Sequence, residues 1–244
     1  TGAVTLSEVL LTPKKVMNAA EICKEDLRQI WSSYSMGFSA HNDNMPKDVE
    51  AALLNEILQD TAQATDLDIW GGVAATTGRI GGFIELFAAD AGIIKANNGI
   101  TTLAGAITKA NVQTEIEKVL DAVPVSLRRK KNTVFLVSSN VALAYEQALI
   151  SAGISNGMGG AEMNLAYGST KITVVDALPD NTFVVYEVKN LYFGTGLMAD
   201  HNEIRIKDMD ESDLSGNVRY KMVYTGGVQY INPTEIVWYL STTV

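Results

Sequence analysis

A chain of 244 residues with 47% hydrophobic content and five prolines can bury a substantial core, as one large domain or two modest ones. Its net charge of −9 argues against a surface devoted to gripping nucleic acid, and its single Cys23 excludes an internal disulfide and suits a reducing cytoplasm. No apolar run approaches the roughly 18 residues of a transmembrane helix, and Thr1 to Val16 lacks the basic start and apolar core of a signal peptide.

Val4 to Ala20 reads as strand, interrupted at Pro13, which suggests an edge or a bend. Ile22, Leu27, Ile30, Trp31 and Tyr34 put an apolar stripe on a short helix over Glu21 to Ser35, closed by Gly37. The clearest helix starts at Pro46, with Asn44 nearby as a cap, and runs to about Trp70. Val49, Ala52, Leu53, Ile57, Leu58 and Ala64 trace its apolar face, and at 1.5 Å per residue it spans about 35 Å. Gly71 to Gly82 is glycine-dense and reads as a variable loop.

A short helix follows over Phe83 to Ala91, then a turn at Asn97-Asn98-Gly99. Asn111 to Ala122 is a helix with Val112, Ile116, Val119 and Leu120 inward, ended by Pro124. The basic run Arg128 to Lys131 reads as a solvated loop, because no aromatic residue is interleaved to stack on bases. Thr133 to Val137 is an unbroken run of β-formers and so a buried strand. Ser139 or Asn140 caps a helix carrying Val141, Leu143, Ala144, Leu149 and Ile150, and Gly153 ends it.

After a glycine-rich loop over Asn156 to Gly168, strands Lys171 to Leu178 and Thr182 to Val188 are joined by Pro179-Asp-Asn. The tail reads as a long two-stranded ribbon. Ile204 and Ile206 alternate with Glu203, Arg205 and Lys207, while Val218, Tyr220, Met222 and Tyr224 alternate with Arg219 and Lys221. Asn232-Pro233 then turns into a final strand, Glu235 to Leu240. The order is mixed α+β, with strands at both ends and helices between.

Taken in order, these elements resemble the Hong Kong 97-like fold of tailed-bacteriophage major capsid proteins. The segment "LTPKKVMNAAEICKEDL" resembles the strand that enters the peripheral domain, Pro46 to Trp70 the spine helix, and "DIWGG…TTGRIGG" the turn after it. Asn111 to Ala122 and Thr133 to Gly153 resemble the start of the axial domain, and "LAYGSTKITVVDALPDNTFVVYEVKNLYFG" its later sheet. The resemblance implies a discontinuous peripheral domain over residues 1–108 and 198–232 and an axial domain over 109–197 and 233–244. Thr1 begins where the family's extended loop would be returning, so the N-terminal arm and most of that loop are expected to be missing in front.

What the resemblance implies for function is a structural subunit of a tailed phage or prophage head. It would assemble with itself into pentamers and hexamers of an icosahedral shell around double-stranded DNA, with portal, scaffolding or head-decoration proteins as further partners and no membrane. Assembly would take place in the bacterial host cytoplasm and the product would be a virion capsid. Asn156 and Met158, in the loop that would point toward the five- or six-fold axis, are the candidate axial contacts. Some family members weld subunits through a lysine and an asparagine with help from a glutamate on the long strand. Val218 to Tyr230 carries no acid and Val223 falls about where that glutamate would be, so no cross-linking is expected.

Two other readings stand beside this one. An encapsulin-type nanocompartment shell shares the fold and differs in enclosing a cargo enzyme. An enzyme, or more weakly a small-molecule binding module, would need convergent chemistry that the chain does not spell. His41 and His201 lie in polar, loop-like text away from any activated nucleophile. Asp208, Asp210, Glu211 and Asp213 fail the helix-flanked calcium pattern, since Asp213 stands where glycine is required and Arg219 where the closing glutamate should be. Asn156 to Gly160 and Arg79 to Gly82 lack the Gly-Lys-Ser/Thr ending of a phosphate loop. No catalytic residue, metal or cofactor is expected.

Overall fold

The computed structural model describes residues 8–23, 47–96, 106–153, 165–167, 170–197, 203–209 and 217–240. Among them, ten strands form two sheets, one of four strands and one of six. The four-stranded sheet is organised by its longest member, Asn217–Tyr230 (β9), whose first ten residues pair antiparallel with Lys14–Cys23 (β1) from Asn217↔Cys23 to Gly226↔Lys14. On the opposite edge of β9, Ile204–Asp208 (β8) covers residues 218–222 and Leu191–Thr195 (β7) covers residues 226–230.

This corrects the two-stranded reading of the tail. β8 is too short to be the ribbon's second rail, and β1, about 200 residues away in sequence, takes that place. The correction reaches the entry segment too. Strand begins only after Pro13, which has no N–H to give a ladder, and it continues through Glu21, Ile22 and Cys23, where a helix was expected. The remainder of that expected helix lies outside the described residues.

The long helix is Lys47–Gly71 (α1), within a residue or so of its expected bounds. Its buried line differs from the expected one: Ile57, Thr61 and Asp68 face the protein, whereas Leu58 and Ala64 are exposed. The reason lies in the sheet beneath it. Asn18 of β1 donates to the Thr61 hydroxyl at 2.8 Å, and the Thr65 and Tyr224 hydroxyls share a hydrogen bond of 2.6 Å. Polar groups at i, i+4 therefore serve as the contact line, with Val16, Ile80, Met222 and Tyr224 as the apolar part of the seam.

The glycine-dense connection is a tight packed turn, not a variable loop. Gly82 donates its N–H to the Gly72 carbonyl at 2.8 Å, and a Cβ on Gly72 would sit 2.3 Å from the Ile80 carbonyl oxygen. Only glycine permits that approach. Phe83–Ala89 (α2) follows directly and sends Phe83 and Phe87 inward.

The six-stranded sheet runs Ile94–Lys95 (β2), Ile236–Leu240 (β10), Thr182–Glu187 (β6), Thr133–Val137 (β3), Thr170–Val174 (β5) and Ala166–Tyr167 (β4). Both faces are covered. Phe135, Val137, Phe183, Val185, Val237 and Tyr239 pack against Val112–Ala122 (α3), the single turn Val125–Arg128 (α4) and Ser139–Ser151 (α5). The alternate residues Leu136, Val184, Ile236 and Trp238 pack with Trp70, Phe83, Phe87 and Val228. Alternation of side chains to opposite faces is what lets unbroken apolar runs serve two cores.

Several local expectations shift here. β5 stops at Val174, and β3 sits between β5 and β6, so Pro179-Asp-Asn181 joins two strands that are not neighbours. The N-cap position of helix α5 is Ser138, one residue earlier than expected and without a side-chain cap; its hydroxyl donates to Asn140, whose side chain is bonded to Asn181. Leu143 and Ile150 of α5 are exposed, whereas Gly153 ends the helix in the left-handed conformation at φ 74° as expected.

Candidate functional site

The joint between the two sheets is built from five side chains: Asn190, Asn232, Lys130, Glu187 and Glu235. Asn190, fully buried between β6 and β7, accepts from the N–H groups of Ile231 and Asn232 at 3.1 and 2.7 Å and donates to the Asn232 carbonyl at 2.7 Å. Asn232 in turn accepts from the Thr234 N–H at 3.1 Å, which sets the turn Pro233–Glu235 into β10. Lys130, from the basic run expected to be a solvated loop, reaches Glu187 in a close ion pair and Glu235 at 2.8 Å. The ammonium holds the Glu187 carboxyl below its ordinary range, and those carboxylates raise Lys130. Arg128 donates to the Leu120 carbonyl, so two members of the run are engaged, whereas Arg129 and Lys131 are exposed as expected.

Two further carboxylates are enclosed. Glu115 of α3 is buried and accepts from the Tyr239 hydroxyl at 2.7 Å and from Lys118 at 2.8 Å. Burial, helped by Glu115, raises the Tyr239 phenol well above its usual range. Asp68 sits under Arg79 at 3.2 Å, and burial lifts its carboxyl although the guanidinium opposes the shift. Tyr167 donates to Glu117 at 2.6 Å, which pushes its phenol up to about 12. Each pair cross-links neighbouring elements, and none places a nucleophile beside a base.

The ribbon presents two unlike faces. Toward α1 lie Val16, Met222 and Tyr224, with Val218 further along the same face. Away from it lie Lys15, Met17, Ala19 and Glu21 opposite Thr225, Val223, Lys221 and Arg219, flanked by Arg205 and Lys207. Arg219 binds Glu21 at 2.6 Å and Arg205 binds Glu203 at 2.7 Å. A depression of about 540 Å³ on this ribbon is lined by Ala19, Lys207, Arg219 and Lys221 among others, a set with charge but no acid, base and nucleophile in convergence.

Most of the residues singled out for chemistry in the sequence fall outside what the structure describes. Asn156, Met158, His41, His201, Asp210, Glu211 and Asp213 lie outside the described residues. Arg79 to Gly82 forms part of the packed turn over Asp68, and Cys23 is exposed at the end of β1. Among the described residues no group of three or more His, Cys, Asp or Glu is placed to hold a metal ion, and no helix is long and apolar enough to cross a membrane. The Asn190–Asn232 joint was not foreseen. Its only sequence signal is the Asn-Pro pair before the last strand.

No protein-family model matches the sequence, and no curated protein matches it either. Solved structures do. A chain of the satellite phage P4 procapsid, in a structure that includes the size-determination protein Sid, superposes with a TM-score of 0.62 at 10% identity over 95% of this chain and 76% of that one. The capsid of the empty GTA particle gives 0.60 at 15% identity over 98% and 79%, and Gordonia phage Cozz gives 0.55 at 14% identity over 100% and 79%. The α+β fold, with its helix-backed ribbon and doubly covered sheet, is thus one shared with proteins of phage and GTA particle capsids. More particularly, the fold is the Hong Kong 97-like fold of bacteriophage capsid proteins.

Proposed function

We propose that this chain is the major capsid subunit of a tailed phage or prophage head, assembling into pentamers and hexamers of an icosahedral shell that encloses double-stranded DNA, and that it catalyses nothing. The observation that carries this reading is the reach of the fold likeness, which extends over 95 to 100% of the chain for phage and GTA particle capsids. Exposed apolar side chains add support: Leu10, Leu67, Phe193 and Ile231 are 42 to 74% exposed, as surfaces awaiting copies would be. Obligate interfaces of this kind bury about 2,000–5,000 Å² or more, and heterologous contacts that close into rings suit them.

In this reading residues 1–108 and 198–232 form the peripheral domain and 109–197 and 233–244 the axial domain, with β2 and β7 reaching across to pair in the other sheet. Asn156 and Met158 would contact the neighbours around the axis, and portal, scaffolding or decoration proteins would be the heterologous partners. Negative-stain microscopy of the full-length natural chain expressed in bacteria tests it. Hollow icosahedral particles are expected, and uniform monomers would overturn the proposal. Shells that copurify with one stoichiometric cargo enzyme would instead mark a nanocompartment.

A further inference from the structure

Resting on the shell reading above, we propose that the outer face of the ribbon docks the acidic long helix α1 of a second copy of this chain. Residues directly opposite in antiparallel strands share a face, so the register gathers Lys15 of β1, Arg219 and Lys221 of β9, and Arg205 and Lys207 of β8 on one surface. Against these five cations the surface carries, among the described residues, two acids, Glu21 and Glu203. Both acids are paired to arginines, at 2.6 and 2.7 Å. Lys15, Lys207 and Lys221 are exposed and have no ionic partner among the described residues. In a chain of net charge −9 this surface has the minority sign.

The complementary charge is on the same chain. Helix α1 holds six acidic residues and one basic residue. Asp60 and Asp66 are exposed, and Leu67 beside them is 49% exposed, a match for Met17 at 52% on the ribbon. Lengths agree as well: ten residues of β1 extend about 33 Å, and 25 residues of α1 about 37 Å. Within one subunit the two surfaces cannot meet, because α1 is fastened to the opposite face of the sheet through Asn18–Thr61 and Tyr224–Thr65. Helix and outer face can therefore pair only between copies. That contact joins two different patches, the kind that propagates around a ring.

A strip of this length and one helix wide covers on the order of 330 Å² per partner, less than the roughly 800 Å² of a free-standing interface. Its role is accordingly to orient neighbours and reject wrong registers within a larger contact, which is what complementary charge does best. Nucleic acid fits this face less well. Among the described residues no aromatic side chain alternates onto this face to stack a base, and Met17, Ala19 and Val223 run through its middle.

The test uses particles of the full-length natural chain treated with a zero-length carbodiimide cross-linker, followed by peptide mapping. Cross-links from Lys207 or Lys221 to Asp60 or Asp66 are expected in particles and not in dissociated subunits. In parallel, Lys207→Glu with Lys221→Glu should cut shell yield at low salt about tenfold, and adding Asp60→Lys with Asp66→Lys should restore it. Unchanged yield without those cross-links would overturn this inference and leave the shell reading standing. Failure of the unaltered chain to form any particle would remove both. Normal assembly of the reversed variant with about tenfold less retained nucleic acid would assign the face to nucleic acid and overturn the helix as its occupant.

Discussion

In the six-stranded sheet, neighbouring residues of β3, β6 and β10 go to two apolar layers, with Phe135 stacked on Phe183 and Tyr239 edge-on to it on one side, and Trp238 with Phe87 on the other. In the ribbon one face meets α1 through hydroxyls and an amide, and the other is left charged. The first arrangement maximises water-free contact and tolerates little change. The second gains less from burial and keeps a surface whose composition can answer to a partner.

The sharpest way to break this contrast is to delete an aromatic ring from the dry sheet. Phe183→Ala should cost about 3–5 kcal/mol, because it opens a cavity beside Phe135 and Tyr239. Urea unfolding read by tryptophan fluorescence would show it as a lower midpoint with an unchanged slope. At the joint between the sheets, Asn190→Ala should cost about 1–3 kcal/mol, since two backbone N–H groups lose their acceptor. The same denaturation experiment measures that loss. Should Phe183→Ala prove no more costly than Asn190→Ala, the six-stranded sheet is not the stability centre.

On the ribbon side, Tyr224→Phe removes only the hydroxyl bonded to Thr65 and should cost about 0.5–1.5 kcal/mol. A cost near that of Phe183→Ala would erase the distinction between the two regions. The smallest expected effect is a pH dependence at the joint. The Glu187 carboxyl is depressed by its hydrogen bond to Lys130, so its contribution is fully present above the ordinary glutamate value near 4.5 and is lost as pH falls through the depressed value. Thermal melting from pH 6 to about pH 3 should show a steeper acid loss in the natural chain than in Glu187→Gln. Equal slopes would mean the ion pair is not coupled to folding.

Much of the architecture could be read in one dimension. Pro46, the helical period and the distance to the glycine turn marked α1, and the runs Thr133–Val137 and Thr182–Val188 marked strands of a buried sheet. The alternation of Arg219 and Lys221 with Val218, Tyr220 and Met222 already separated the ribbon's faces. Less legible was which apolar residues of a helix would be covered. Leu58 and Ala64 fit the stripe as well as Ile57 does, and only the placement of Asn18 and Tyr224 beneath α1 makes Thr61 and Thr65 the contact line. The cationic face shares that history. Arg205, Lys207, Arg219 and Lys221 are visible in the alternation, but Lys15 joins them only through a register that spans the chain.

Local sequence, then, determined what depends on neighbours a few residues apart: the run of α1, the stop of α5 at Gly153, the turn at Asn232-Pro233 and the parity of β9. The tertiary structure decided everything that depends on pairing at a distance: β1 as the ribbon's rail, β3 inserted between β5 and β6, Lys130 bound to two carboxylates, and charge left over on one face. Periodicity is a property of the backbone and repeats along the chain, whereas strand partners and ion pairs are selected by the lowest total free energy of burial, so no single segment carries them.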